Sequence, residues 1–202
     1  MCMPWPAQAQ VKSCTVTPLS SRPLADAWLC SADFRIVTET VSNPELRSRI
    51  LKWSEEIPVN SIARQLRAMS ECYQKAKEED SVDFDSDSLQ EVRETITGLI
   101  PQLYQRLNNR LSSSESDVTK DVKAILWGQR WIWVGDSFVA AEAVALTATI
   151  NATPYLYQLP QDLRVYSRLL NIFQVRSIFE PRDYVTALYR MAEATGQLED
   201  DK

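Results

Sequence analysis

Carboxylates, serines and cysteines are the side chains in this sequence that could perform chemistry. Histidine, the most common acid–base residue, is missing from the 202 residues. Without an imidazole, neither Ser-His-Asp nor Cys-His catalysis is available, and zinc sites with histidine ligands are excluded. The cysteines at positions 2, 14, 30 and 72 form no CxxC pair and match no metal-binding spacing. The four glycines lie too far apart to form a phosphate-binding loop. We therefore expect no catalytic, cofactor-binding or metal-binding residue.

The remaining candidates for acid–base chemistry have structural explanations. Asp136 falls in a predicted turn, where aspartate forms hydrogen bonds with nearby backbone. Asp183 falls in the first turn of a predicted helix, where a negative charge interacts favourably with the helix dipole. Cys30 lies in an apolar segment and is expected to be a small core residue with a free thiol. We do not expect enzymatic activity from this chain alone.

A tryptophan-rich hairpin is the most distinctive local feature. Trp131 and Trp133 alternate on a predicted strand and so share one face, and Phe138 lies on the returning strand. Gly135 followed by Asp136 predicts a two-residue turn of type II′, since glycine accepts a positive φ. The rings could form a stacking platform for bases or sugars, but basic residues are missing around them. Core packing or an inter-domain contact is therefore favoured.

A second aromatic segment follows this hairpin. Tyr155 and Tyr157 share a face in an extended stretch that is bounded by Pro154 and Pro160. They have the same two interpretations, packing or interaction. Tyr184 opens the inward face predicted for the last helix, which continues with the apolar residues Val185, Leu188 and Met191.

The charge of the chain is local. The net charge is −5, but residues 78–94 contain eight acids and one base, so the rest of the chain carries +2. We interpret the acidic stretch as a solvated linker. No basic stripe is present, which argues against nucleic acid as a partner. No apolar run is long enough to span a bilayer and no secretory signal is visible, so we expect a cytoplasmic protein and no membrane partner.

The predicted elements indicate an α+β fold that is mainly helical, with one or two short β-hairpins packed on helix pairs. Residues 1–23 are expected to be a disordered or incomplete N-terminal segment, and residues 197–202 a frayed tail. Between them lies one region, 24–196. It contains a predicted hairpin at 28–38, the acidic linker at 78–87, and a helix at 88–111 that Pro101 should kink or break.

A hairpin–helix–helix order occurs twice, in residues 24–77 and 127–196. Trp28 aligns with Trp131, and Leu51 with Leu170, if the second copy carries about 16 additional residues. The identity is low. Two tandem copies and a chance similarity of two small α+β units both remain open.

Five segments together resemble the repeat regions of sacsins, in particular of plant and algal sacsin-like proteins. They read WLCSADFRIV (28–37), LKWSEEIPVNSIARQL (51–66), LIPQLYQRL (99–107), WIWVGDSFV (131–139) and PYLYQLP (154–160). The resemblance covers about residues 24–194. One departure is Lys52, since the family pattern would place a glycine directly before Trp53.

The resemblance implies a function. Sacsins are very large cytoplasmic proteins whose repeats begin with an ATP-binding lobe of the GHKL type, similar to that of ninety-kilodalton heat-shock chaperones. The motifs of that lobe are missing here, so the resemblance implies a non-catalytic scaffold or interaction segment that follows the lobe and acts in protein folding and quality control. The implied partners are other segments of a sacsin-like chain, client proteins, or heat-shock chaperone machinery.

Two other functions remain open. The chain could be a stand-alone adaptor that binds one protein partner through its aromatic hairpin. It could also belong to a nucleotide-dependent switch whose ATP site lies outside the chain. In either case no cofactor is expected on the residues of this chain.

Overall fold

The computed structural model describes residues 21–83, 86–111 and 116–199 of the chain. The fold is α+β and mainly helical, with several short strands in small sheets, as the sequence predicts. The described helices are α1 (Ala27–Cys30), α2 (Val59–Asp83), α3 (Ser86–Arg110), α4 (Asp117–Leu126), α5 (Ser167–Ile172) and α6 (Pro181–Glu199). The described strands are β1 (Ser21–Pro23), β2 (Arg35–Val37), β3 (Ile132–Trp133), β4 (Phe138–Val139), β5 (Val144–Thr147), β6 (Tyr157–Gln158) and β7 (Arg176–Ile178).

Helices α2, α3 and α4 form the centre of the molecule, where α2 packs against both of the others. Helix α2 buries an apolar stripe of residues that are three and four positions apart: Ile62, Leu66, Met69 and Tyr73. Helix α3 buries the matching stripe of Ile96, Ile100, Leu103, Tyr104 and Leu107. Two long amphipathic helices thus bury their stripes in one core.

The acidic linker predicted at 78–87 is mostly helical instead. Helix α2 extends to Asp83 and α3 begins at Ser86, so residues 84–85, which lie outside the described part, are all that separates them. The physical reason is that Lys, Glu and Ala, which fill positions 75–79, favour helix even when they are solvated. Pro101 lies inside α3, and the helix continues through it without a break.

The first strand pair is parallel, and the hairpin predicted at 28–38 is wrong. Trp28 lies in helix α1, and only β2 is a strand; β2 pairs with β1, in the register Arg22 with Ile36. The helical turn places Ala27 and Cys30 on the same buried side, against α2. Strand β1 falls at the end of the segment 1–23 that was expected to be disordered or incomplete, and residues 1–20 of that segment lie outside the described part.

The predicted tryptophan hairpin is confirmed. Strands β3 and β4 are antiparallel, with Trp133 opposite Phe138, and Gly135 in the turn has a φ of 103°. Strand β5 follows this hairpin and lies between β6 and β7 in a parallel sheet of the order β6-β5-β7. After β6 the chain forms a 3-10 turn (Gln161–Val165) and then helix α5.

The two segments aligned as a repeat have different secondary structures. Trp28 lies within helix α1, whereas its counterpart Trp131 directly precedes strand β3. Leu51 ends a short π-helical segment (Leu46–Ile50), whereas Leu170 lies within α5. The first segment contains one described strand, β2, which pairs with β1 before the segment, whereas the second contains the antiparallel pair β3–β4 and the parallel sheet of β5, β6 and β7.

The inward face predicted for α6 is wrong. Val185 is 49% exposed, Leu188 64% and Met191 39%, whereas Ala187 is buried at 4%. The helix packs through the turn that contains Ala187 and leaves most of its apolar side chains on the surface. It also continues past Gly196 to Glu199.

Lys52 has a φ of 52°, in the left-handed region that favours glycine. It follows the π-helical segment and precedes Trp53, whose backbone N–H donates to the carbonyl of Arg47 at 2.9 Å. The chain therefore makes a turn in the left-handed conformation directly before Trp53, although residue 52 is lysine and not glycine.

Candidate interaction site

The aromatic residues of the tryptophan hairpin form part of the core. Trp131 is fully buried, Trp133 is 3% exposed and Phe138 is 2% exposed. Trp131 packs against Tyr104 and Phe173, and Trp133 against Tyr73 and Phe138, with ring centroids 4.8–5.6 Å apart. The rings of these residues therefore have no exposed face with which to stack on a ligand.

A polar stripe on α2 holds the backbone of this hairpin. Ser70 donates to the carbonyl of Arg130, Tyr73 donates to the carbonyl of Asp136 at 3.0 Å, and Gln74 donates to the carbonyl of Phe138 at 3.4 Å. These α2 residues are three and four positions apart and so lie on one helix face. They satisfy carbonyl groups at both ends of the hairpin and at its turn.

Helix α3 holds the same hairpin from another side. The hydroxyl of Tyr104 donates to the carbonyl of Trp131 at 2.7 Å and accepts from the backbone N–H of Trp133 at 3.1 Å. Arg93 donates to the carbonyl of Gly135 at 2.7 Å. Two helices thus fix the hairpin, and with it the residues on either side of it.

A groove of about 590 Å³ opens beside the hairpin. We call it the cationic groove, because three basic residues line it: Lys77 of α2, Arg130 before β3 and Arg190 of α6. Its aromatic and apolar wall contains four residues that the sequence had singled out, Phe138, Pro154, Tyr155 and Tyr157. One carboxylate, that of Glu78, also lines it.

Two predicted tyrosines attach α6 to the segment before β6. The hydroxyl of Tyr155 donates to the carbonyl of Arg190 at 3.4 Å. The hydroxyl of Tyr184 lies 3.1 Å from that of Thr149, and its ring packs edge-on against Phe179. Tyr155 therefore positions one side of the cationic groove, while Tyr184 lies outside it.

Three other residues singled out from the sequence, Gly135, Asp136 and Pro160, have structural roles. Gly135 forms the turn of the hairpin, and the carboxylate of Asp136 accepts from the hydroxyl of Ser137 at 2.9 Å. Pro160 precedes the 3-10 turn, where its carbonyl accepts from the N–H of Leu163 at 3.2 Å. Neither Pro160 nor the Asp136 carboxylate lines the groove.

Two titratable side chains have environments that explain their chemistry. Burial, with a smaller contribution from the nearby carboxylate of Asp26, raises the pKa of the Cys30 thiol to about 12, so this thiol is not an activated nucleophile. Burial opposes ionisation of Asp183, but hydrogen bonds from Arg176 and from the Glu180 N–H hold the pKa of this carboxyl below its ordinary value. Asp183 thus serves as an ionised anchor at the start of α6.

The described residues contain no cluster of three or more histidine, cysteine, aspartate or glutamate side chains placed to hold a metal ion. Within the same residues, no helix combines the length and apolar character needed to cross a membrane. A second cavity, of about 630 Å³, lies between β2 and the π-helical segment, and its wall includes one acid, Glu39, and one base, Arg47.

The sequence interpretation missed the basic side of the groove. Lys77, Arg130 and Arg190 lie 53 and 60 positions apart along the chain, so they form no basic stripe in the sequence. The only local signal is the spacing of Lys77 from Tyr73 and Gln74, which places the three on one face of α2.

No protein-family model, no curated protein sequence and no solved structure matches the chain. The interpretation of its function therefore depends on the residues and geometry described above.

Proposed function

We propose that the chain is a non-catalytic scaffold segment of a sacsin-like cytoplasmic chaperone or co-chaperone. It acts in protein folding and quality control by holding neighbouring segments or client proteins on apolar surface. The observation that carries this proposal is the apolar face of α6, which we define by Val185, Leu188 and Tyr189. These side chains are 49%, 64% and 70% exposed.

Single exposed apolar residues are common on protein surfaces, so their arrangement is the argument. Residues 185, 188 and 189 are three and four positions apart, and such side chains form one continuous patch on a helix. Contiguous apolar patches are characteristic of surfaces that another protein covers. A segment taken from a larger assembly would expose such a patch.

The backbone at Lys52 is a second support. The sacsin pattern has glycine at this point, and the chain adopts the left-handed conformation that glycine favours although the residue is lysine. A turn that persists after its preferred residue has changed is consistent with a shared local fold.

The structure argues against the first alternative, an adaptor that binds its partner through the aromatic hairpin. An adaptor that binds through the hairpin needs exposed rings, and those of Trp131, Trp133 and Phe138 are buried. An adaptor would have to use another surface. No observation in the described residues favours the nucleotide-dependent switch.

The test is a client-protection assay on the purified chain. A heat-labile protein is warmed with the chain, with and without ATP, and its aggregation is followed by light scattering. The double variant Leu188→Ser, Tyr189→Ser removes most of the α6 face. Val165→Ser is the matched control, because Val165 is 70% exposed and lies outside α6.

We expect suppression of aggregation that does not depend on ATP, that is lost in the double variant, and that persists in the control. No suppression by the unmodified chain would contradict the proposal and favour an adaptor with one dedicated partner. Suppression that requires ATP would instead support a nucleotide-dependent function.

A further inference from the structure

The lining of the cationic groove is positively charged, although the chain as a whole is negatively charged. Its lining includes Lys77, Arg130 and Arg190 against the single acid Glu78, a net +2, in a protein whose net charge is −5. All three basic side chains are exposed. The fold, and not the composition, therefore creates an anion-attracting surface at this point.

The two arginines of the groove have no ion-pair partner among the described residues, unlike Arg64, Arg67 and Arg176, which pair with carboxylates. Lys77 makes one weak contact, from its ammonium group to the carbonyl of Asp136 at 3.4 Å. Free guanidinium groups bind carboxylates and phosphates with paired, charge-assisted hydrogen bonds. The groove can therefore accept an anionic group at more than one position.

The aromatic and apolar wall of the groove suits a peptide. Tyr155 and Tyr157, which are partly exposed, supply aromatic surface, and Tyr157 belongs to β6, an edge strand of the parallel sheet. An edge strand presents backbone groups with which an extended peptide can pair. A small anion would use only the basic residues and would leave this wall without a role.

The surroundings disfavour a long polyanion. Three basic residues line the groove, and they share the lining with Glu78. A nucleic-acid backbone needs a longer run of basic contacts along its phosphates, whereas a short peptide with a few carboxylates needs no more than the groove supplies. This charge distribution favours a protein ligand over RNA or DNA.

We propose that the cationic groove binds an extended acidic peptide segment of a partner protein. The carboxylates of the peptide pair with Arg130, Arg190 and Lys77, and its apolar side chains pack on Tyr155 and Tyr157. This site is separate from the apolar face of α6 and goes beyond the scaffold function. It can therefore be tested independently of client protection.

The experiment uses the full chain and fluorescence anisotropy. The probe is a fluorescein-labelled peptide in which glutamate alternates with leucine. Comparison ligands are the same peptide with lysine in place of glutamate, and a labelled single-stranded oligonucleotide of equal negative charge. The variant Arg130→Glu, Arg190→Glu reverses the charge of the groove. Arg168→Glu, Arg182→Glu is the control, because it makes the same change in net charge at exposed sites that do not line the groove.

We expect the acidic peptide to bind, with affinity that falls as salt is added. The groove variant should lose at least about tenfold in affinity, as one lost charge-assisted contact implies, while the control should match the unmodified chain. Circular dichroism establishes that each variant is folded. A second variant, Tyr155→Ala, Tyr157→Ala, leaves the charge unchanged and should also weaken binding.

Three results would overturn the proposal. One is the absence of binding by the acidic peptide. The second is equal loss of affinity in the groove variant and in its control, which would indicate a nonspecific charge effect. The third is tighter binding of the oligonucleotide than of the peptide, which would assign the groove to nucleic acid.

Discussion

The hydroxyl of Tyr104 donates a hydrogen bond of 2.7 Å to the backbone carbonyl of Trp131, and both residues are fully buried. The same oxygen accepts from the N–H of Trp133, so that one side chain of α3 satisfies a donor and an acceptor of the strand backbone. Buried backbone groups that lose their partners are costly. Tyr104 is thus a structural link between the helical core and the hairpin.

Replacing Tyr104 with phenylalanine should lower the free energy of unfolding by about 1–3 kcal/mol, because two buried backbone groups lose their partner. Urea denaturation followed by tryptophan fluorescence measures the change. Tyr189→Phe removes a hydroxyl from a residue that is 70% exposed and should have almost no effect. Equal effects of the two variants would contradict the structural role of Tyr104.

The stability of the chain should fall at alkaline pH through the same residue. Burial raises the pKa of Tyr104 above its ordinary value, and only a backbone hydrogen bond from Trp133 opposes this. In the unfolded chain the phenol loses its proton near about pH 10. The pKa of Tyr104 is thus higher in the folded chain than in the unfolded chain. The neutral phenol therefore contributes its full stabilisation of the fold below about pH 10, and this contribution is lost as the pH rises towards the folded pKa.

Urea denaturation at about pH 8 and at about pH 10.5 tests this dependence. Between these two pH values, the free energy of unfolding should fall more for the unmodified chain than for Tyr104→Phe. The difference in stability between the two proteins should therefore be smaller at the higher pH. A difference that stays constant would mean that Tyr104 ionises normally in the folded protein.

Trp133→Ala should cost about 3–5 kcal/mol, the range for a large aromatic side chain in a core. Trp133 is 3% exposed, and its indole nitrogen has no hydrogen-bond partner in the described part of the chain, so that the loss reports packing alone. Trp127→Ala, at a residue that is 49% exposed, should cost less than half as much. Chemical denaturation measures both, and an unchanged stability for Trp133→Ala would make it a surface residue.

Lys52→Gly should stabilise the chain, since a φ of 52° is strained for lysine and free for glycine. Lys52 also forms an exposed ion pair with Glu55 at 3.2 Å, which the substitution removes. Lys52→Ala removes the same ion pair but keeps the β-carbon. We expect the glycine variant to be about 1–2 kcal/mol more stable than the alanine variant, as measured by thermal and urea unfolding. The reverse order would contradict the left-handed turn.

Gly135→Ala should destabilise the hairpin by about 1–3 kcal/mol, because its φ of 103° is one that side chains rarely adopt. Gly98→Ala is the control within α3, where an added β-carbon meets no atom within 4 Å. This second change should stabilise the chain by about 0.5–1 kcal/mol, since alanine favours helix. Denaturation curves that move in the same direction for both variants would contradict these environments.

The cationic groove illustrates how little of the site was accessible from the sequence. Its aromatic wall was predicted as a set of candidates, because Tyr155 and Tyr157 share a face within one short segment. Its basic residues were not, because Lys77, Arg130 and Arg190 belong to three separate elements that only packing brings together. The sequence pattern therefore identified the segment from Pro154 to Pro160, but not the basic residues that line the groove with it.

The sequence by itself determined the local features, because they depend on spacing and on single residues. The stripes of α2 and α3 follow from the helical period, and the turn at Gly135 follows from the φ that glycine accepts. Only the tertiary structure decided that residues 27–30 form a helix, since a short apolar run suits helix and strand equally well. It also decided that Leu188 faces outward. Periodicity shows which side chains share a face of a helix, but whether another element covers that face depends on how the whole chain packs.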